Sequence, residues 1–184
     1  RVGVGEVVIL CDDSTGEWAA TITSVGKREL AATCDALLRP REAVPDFVLY
    51  AALLKKDRFD LVLEKATELG VGRIQPVVTH RCVADKLNAE RARAILTEAA
   101  EQCARTALPE LAEPVKLEAL LREHDAARAL FFADENGGES AAAAFIDAPG
   151  PAALLIGPEG GFDDGERSAI RAHPAARPIA LGPR

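Results

Sequence analysis

No methionine occurs anywhere in the chain, and position 1 is Arg. Because the sequence also stops directly after a strand and a turn, both ends of a longer protein are expected to be missing. Cysteine is sparse: Cys11, Cys34, Cys82 and Cys103 are widely scattered, with no CxxC pair and no His spaced to complete a metal site. They are expected to be buried free thiols, with no metal bound. Histidine is scarcer still. His80, His124 and His173 stand isolated, no Ser-His-Asp arrangement can be drawn, and histidine catalysis is not expected. The longest apolar run, Phe47 to Leu54, is far too short to span a bilayer, and the first residues lack a signal-peptide pattern. A soluble cytosolic protein is therefore expected. Net positive charge is absent as well: the formal charge of −7 argues against a protein that coats nucleic acid through a general field, while leaving room for a local patch.

What is present is an ordinary globular composition, 48% apolar over 184 residues. That is enough for one good-sized domain or for a domain with a small module. Residues 1–39 carry short β-like runs punctuated by turns: Glu6 to Cys11, the turn Asp12 to Gly16, Glu17 to Thr23, and Arg28 to Cys34. They predict a meander belonging to a small barrel. Pro40 and Pro45 bracket a natural linker, since neither can donate to a sheet ladder. Beyond Pro45 strands and helices alternate: strand 47–53, helix 57–69 closed by Gly70, strand 73–78, a long helix capped by Asn88, a short helix 117–122, strand 129–133, helix 140–146, and strand 154–156. Pro76 suggests an edge or irregular place in its strand. Cys103 ends the apolar stripe of the long helix, and Gln102 and Arg105 share a neighbouring surface face. The order predicts a mainly parallel sheet with helices on both faces, which binds ligands beyond the carboxyl ends of its strands.

The stretch Leu154-Leu155-Ile156-Gly157-Pro158-Glu159-Gly160-Gly161 reads as a buried strand running into a glycine turn. Asp163 and Glu166, three apart, have capping-box spacing for the helix that follows. The turn is neither a GxGxxG fingerprint nor a P-loop, so a nucleotide diphosphate is disfavoured. It can be a tight strand-to-helix connection and nothing more. Glu159, which the turn does not demand, disfavours phosphate and suits a cationic ligand such as S-adenosylmethionine. Ile179 to Arg184 is a shorter echo of the same design. Basic residues cluster at Lys55, Lys56 and Arg58 and again at Arg81, Lys86, Arg91 and Arg93. They are either solvated helix surfaces or contacts for an RNA backbone.

Four segments in this order resemble the RsmE family, bacterial methyltransferases of the SPOUT superfamily that act on uridine N3 in small-subunit ribosomal RNA. They are Lys55 to Asp60 leading into Glu64 to Val71, the Thr79-His80-Arg81 turn, Glu101 to Arg105, and Leu155 to Gly161 followed by Leu181 to Arg184. The resemblance covers residues 45–184. It implies an α/β fold: a SPOUT-type trefoil-knot domain at 46–184, preceded by a partial PUA-like RNA-binding β-barrel at 1–40. It also implies S-adenosylmethionine as cofactor, a homodimer, and 16S rRNA or the small subunit as partner. By the same resemblance the cofactor is held by three turns: Ala133, Asp134 and Glu135; Gly157, Pro158, Glu159, Gly160 and Gly161; and Leu181, Gly182 and Pro183. RNA contacts fall to Lys55, Lys56, Arg58, Arg81 and Arg105, and the catalytic roles to Glu159 and Arg184. Lys56 replaces the family's usual glycine. The family motif also continues past Arg184 into a knot-completing helix, so a chain ending there is not expected to close the knot or bind cofactor properly. The alternatives are a non-catalytic RNA-binding or assembly protein on the same fold, and an α/β enzyme for another metabolite.

Overall fold

The computed structural model of the chain describes residues 2–182. The expected site residues Pro183 and Arg184 lie outside the described residues. At the amino end, β1 (Val7–Asp12), β2 (Gly16–Val25) and β3 (Leu30–Pro40) form an antiparallel three-stranded meander. The Asp12 carboxylate organises its first turn by accepting the backbone N–H groups of Ser14 and Gly16, each at 3.0 Å. The third strand runs six residues past the predicted end at Cys34, because Arg39 on β3 pairs with Glu17 on β2 and keeps the ladder going. Ala20 and Ile22 are buried, while Val7 and Ile9 on β1 remain exposed.

The rest of the chain is built on a second sheet of eight strands, every pairing of which is parallel. In chain order these are β4 (Phe47–Ala52), β5 (Arg73–Val78), β6 (Glu110–Leu111), β7 (Val115–Lys116), β8 (Ala129–Ala133), β9 (Glu139–Ser140), β10 (Ala152–Ile156) and β11 (Ala176–Ala180). Their spatial order is β6-β5-β4-β10-β8-β11-β9, with β7 also on β5. Central β10 pairs with β4 on one side and β8 on the other, which explains its apolar sequence.

Alternate residues feed the two faces of the sheet, which hold three apolar clusters. Leu130, Phe132, Ala153 and Leu155 pack with α3 (Leu117–Glu123) and α5 (Asp164–Ala172). On the opposite face Ala51, Leu53 and Ile74 meet α1 (Lys56–Glu68) and α2 (Ala89–Gln102), and Phe131 and Ile179 meet α4 (Ala141–Ile146). Pro76 sits in an interior strand at an irregular place. The carbonyls of Gly72 and Ile74 accept from Glu110 and Ala112, so Pro76 also faces that side, where the ladder breaks between β6 and β7.

Three expectations are corrected. Cys11, Cys34 and Cys103 are exposed and Cys82 is half-buried, so the thiols are free but not core residues. Cys103 leaves the apolar stripe because α2 ends at Gln102 and the chain reverses through Ala104 in the left-handed region, φ 56°. The histidines are not isolated. His124 stacks edge-on to Tyr50 and His173, accepts the Tyr50 hydroxyl at Nδ1 (3.0 Å) and donates from Nε2 to the Arg128 carbonyl (2.9 Å). Burial pushes its pKa below the usual histidine value, against the opposing pull of that carbonyl.

Candidate active site at the carboxyl edge of the sheet

Parallel pairing sets the carboxyl ends of β10, β8 and β11 side by side. The turns that follow these strands therefore share one edge. This gathers Gly157 to Gly161, Ala133 to Glu135, and Leu181 with Gly182, the residues expected from sequence to hold a cofactor. The helix after β4 leaves toward one face of the sheet and the helix after β10 toward the other, the arrangement that in open parallel sheets places ligands beyond the carboxyl ends of the two neighbouring strands.

The turn after β10 contains two glycines at which a side chain would be strained. A Cβ on Gly157 would lie 2.9 Å from the Phe162 ring, which is buried edge-on against Phe132. At Gly161, with φ 66°, a Cβ would lie 2.9 Å from the Glu135 carboxylate. By contrast, Gly160 faces only the Arg81 side chain at 3.6 Å. The Gly161 N–H donates to the Pro158 carbonyl at 2.9 Å and closes the turn.

Two residues expected to contact RNA touch this turn directly. Arg58 pairs with Glu159 at 3.6 Å, and Arg81 donates to the Gly160 carbonyl at 2.7 Å. Glu159 therefore faces a cation of the protein itself. Lys55, Lys56 and Arg58 surround the first turn of α1, where only Asp57 is acidic. Cations there oppose the helix dipole at about 0.3–1 kcal/mol each, a cost that folding does not require and that an anionic ligand would offset. Arg105 departs from the expected RNA-facing surface. The reversal at Ala104 turns it inward, its side chain is 9% exposed, and its guanidinium binds Glu42 and the Thr67 carbonyl, both at 2.6 Å. The face it was expected to share with Gln102 does not form. Arg91 is likewise engaged, by Asp60.

Behind the turns stands α5. Its Asp163 and Glu166 form the predicted capping box. The same two carboxylates reach the loop after β5: the His80 backbone N–H donates to Glu166 at 2.8 Å, and His80 Nδ1 lies 2.5 Å from Asp163. The Asp163 bond, followed by the Glu166 charge, raises the His80 pKa above its ordinary value. The Asp163 carboxyl is held below its own, first by the Glu166 N–H and then by His80. One oxygen or nitrogen of His80, Asp163 and Glu166 can be chosen so that all three lie within 4.8 Å of one another, the only such group among the described residues. The cap and its hydrogen bonds account for this proximity.

One turn further along α5, Arg167 and Arg171 grip Asp134, whose carboxylate is wholly buried. Burial acts to raise the Asp134 pKa, but the Asn136 N–H (3.0 Å) and the Arg171 and Arg167 guanidinium groups outweigh it and leave the group below the ordinary range. Arg167 also pairs with Glu135. The Asp134 side chain is thus committed to α5 and to its own turn, whose backbone is tied down as well: the Asp134 N–H donates to the Ile179 carbonyl and the Asp134 carbonyl accepts from Gly137, both at 3.1 Å. Sequence reasoning did not find His80, Arg167 or Arg171. Their partners lie 32 to 86 residues away, and the only local signal was a pair of arginines one helical turn apart beside a capping box.

Residues 41–184 match the model of the RNA methyltransferase domain. Among curated relatives, the Ribosomal RNA small subunit methyltransferase E of Rickettsia conorii is 26% identical, over 99% of this chain and 75% of its own. That of Bacillus subtilis is 27% identical, over 100% and 77%. A Legionella pneumophila protein solved with bound cofactor SAM superposes on the whole chain and on 78% of its own, with a TM-score of 0.85 and 30% identity.

Proposed function

The chain belongs to the RNA methyltransferase domain family, and from that premise we propose that it transfers a methyl group from S-adenosylmethionine to N3 of a uridine in 16S ribosomal RNA. The observation that carries this reading is the convergence of three turns on one sheet edge, the central one rich in glycine. Such a cradle lets an adenosine-like ligand lie against main-chain groups, and it lacks the phosphate-binding signature of a nucleotide site. When bound, S-adenosylmethionine supplies a methyl already made electrophilic by its sulfonium.

What the protein adds is placement and proton handling. The turn after β10 and the turns after β8 and β11 orient the donor, Pro183 being included by resemblance. Lys55, Lys56, Arg58 and Arg81 border this edge of the sheet and attract the RNA backbone without reading its sequence. The target base leaves its stack to reach the donor. Uridine N3 has no useful lone pair until its proton is lost, and Glu159 is the candidate to orient the base or donor while this happens. Arg184 is assigned the developing oxyanion of the uracil. The wider reading comprises a trefoil-knotted domain from residue 46, an amino-terminal meander acting as part of a PUA-like RNA-binding barrel, a homodimer and a cytoplasmic setting. Among the described residues no helix is long and apolar enough to cross a membrane.

The test is a calorimetric titration of S-adenosylmethionine into the full-length protein, followed by methyl incorporation into small ribosomal subunits and into naked 16S rRNA. RNA binding without cofactor binding would identify a non-catalytic RNA-binding protein instead. Glu159→Ala is expected to lower turnover at least tenfold, the effect of losing one general acid–base or orienting group being about 10²-fold or more. Unchanged turnover and cofactor affinity remove Glu159 from the mechanism.

A further inference from the structure

We propose that Glu166 and His80 are positioning residues which, by holding Arg81 in place, fix the shape of the Gly157 to Gly161 turn; the inference rests on reading that turn as the donor cradle. Glu166 lies 86 residues from His80 in sequence and is nearly fully buried, its side chain 3% exposed. One of its carboxylate oxygens accepts the Asp163 N–H at 3.1 Å, which is all that a capping box requires. The other accepts the His80 N–H at 2.8 Å, and the His80 ring returns to Asp163. Backbone and side chain of His80 are therefore both fastened to the start of α5.

The next residue carries the effect to the cradle. The Gly160 carbonyl, which accepts from Arg81, and the Gly161 N–H, which donates to Pro158, belong to the same peptide group. That plane is pinned at both ends, once from inside the turn and once from the loop after β5. Between two glycines a peptide held at one end can rotate, since glycine populates both signs of φ. Rotation would exchange donor for acceptor on the surface a ligand meets. Arg81 removes that freedom only while its own loop stays fixed; the Cys82 N–H bond to the Thr79 carbonyl (3.2 Å) shapes the loop, and Glu166 and His80 fasten it to α5.

The groups facing the His80 ring are Asp163 and Glu166 of α5 and Glu118 of α3, the last at 3.5 Å. All are acidic, and they favour the imidazolium. As pH rises through the elevated His80 pKa, the ring loses its charge and the attachment weakens. Cofactor affinity is then expected to fall over that window and to be level below the ordinary histidine value of about 6.5.

Glu166→Gln, His80→Gln and Arg81→Ala are compared with the wild type in two measurements: hydrogen exchange of the Gly161 amide without cofactor, and calorimetric affinity for S-adenosylmethionine. We expect Gly161 to exchange about tenfold faster in Glu166→Gln and Arg81→Ala. Affinity should be weakened about tenfold in each, and the double variant should be no worse than Arg81→Ala alone. His80→Gln should abolish the pH dependence of affinity. Unchanged Gly161 protection in Arg81→Ala, or a pH dependence that survives His80→Gln, overturns the proposal. His80 and Arg81 are exposed, so their variants carry the same readouts even if Glu166→Gln fails to fold. A full-length wild type that does not bind S-adenosylmethionine refutes the cradle reading, while the exchange data still decide whether the attachment shapes the turn.

Discussion

Replacing Gly157 with alanine tests whether the turn is shaped by the core beneath it. The new Cβ would lie 2.9 Å from Phe162 Cε2 and 3.2 Å from Cδ2 and Cζ, three contacts short of the 3.4–4 Å of ordinary packing. Phe162 has little room to give way, because it is 3% exposed and set edge-on against Phe132 at a centroid distance of 5.5 Å. Overpacking of this kind costs about 1–3 kcal/mol. Gly157 is outside the left-handed region, so alanine also restricts the unfolded chain and returns about 0.4–1 kcal/mol. A net loss of about 1–2 kcal/mol is expected. It should appear as a urea midpoint shift at constant m value and a Tm about 2–8 °C lower. Phe162→Leu makes room for the methyl, so Gly157→Ala should cost far less in that background, with a coupling energy of about 1–2 kcal/mol. Cofactor affinity should fall in the single variant and partly recover in the double. Stability effects that add within about 0.5 kcal/mol would refute the argument that the Phe162 ring dictates glycine here.

Arg105→Ala should destabilise the fold by about 1–3 kcal/mol, discounted toward the lower end because Glu42 is partly solvated, and should leave RNA affinity unchanged. Weaker RNA binding at unaltered stability would instead restore Arg105 to the RNA surface. Asp134→Asn leaves Arg167 and Arg171 without their shared anion and should cost about 3 kcal/mol, near the lower end for breaking a buried pair, since Arg171 is partly exposed. The Asp134 pKa is lowered on folding. Its contribution is therefore complete above the ordinary carboxylate pKa of about 3.9 and is lost as pH falls through the lower folded value. Acid denaturation should consequently begin at higher pH in wild type than in Asp134→Asn once their stabilities at neutral pH are matched with urea. An identical acid limb would show that the network does not titrate with folding.

The alternation of strands and helices past Pro45 was legible because each signal is local. The Arg73–Val78 and Ala129–Ala133 strands match their predicted limits, and Asn88 caps α2 by accepting the Arg91 N–H at 3.0 Å. The Gly157 to Gly161 turn was readable for the same reason. What failed turned on where one helix stops. Periodicity carried α2 through Cys103 and Arg105, but the left-handed Ala104 ended it, exposing the cysteine and burying the arginine. Nothing in local composition announces an alanine in that conformation. The grouping of Arg58 and Arg81 around the turn could not be read from spacing either, because it depends on β10 inserting beside β4 rather than beside its sequence neighbours.

That insertion also governs how the protein folds. The Phe47 and Ala152 partners are separated by roughly a hundred residues, and parallel pairing at such distance must close a long loop before any contact rewards it. During synthesis β4 and β5 can pair early, but the edge of β4 that receives β10 stays bare until most of the chain has emerged. A slow phase in refolding, accompanied by exposed apolar strand surface, is therefore the expected kinetic counterpart of building the cradle on the central strand, and stopped-flow refolding in the presence of an apolar dye would detect it.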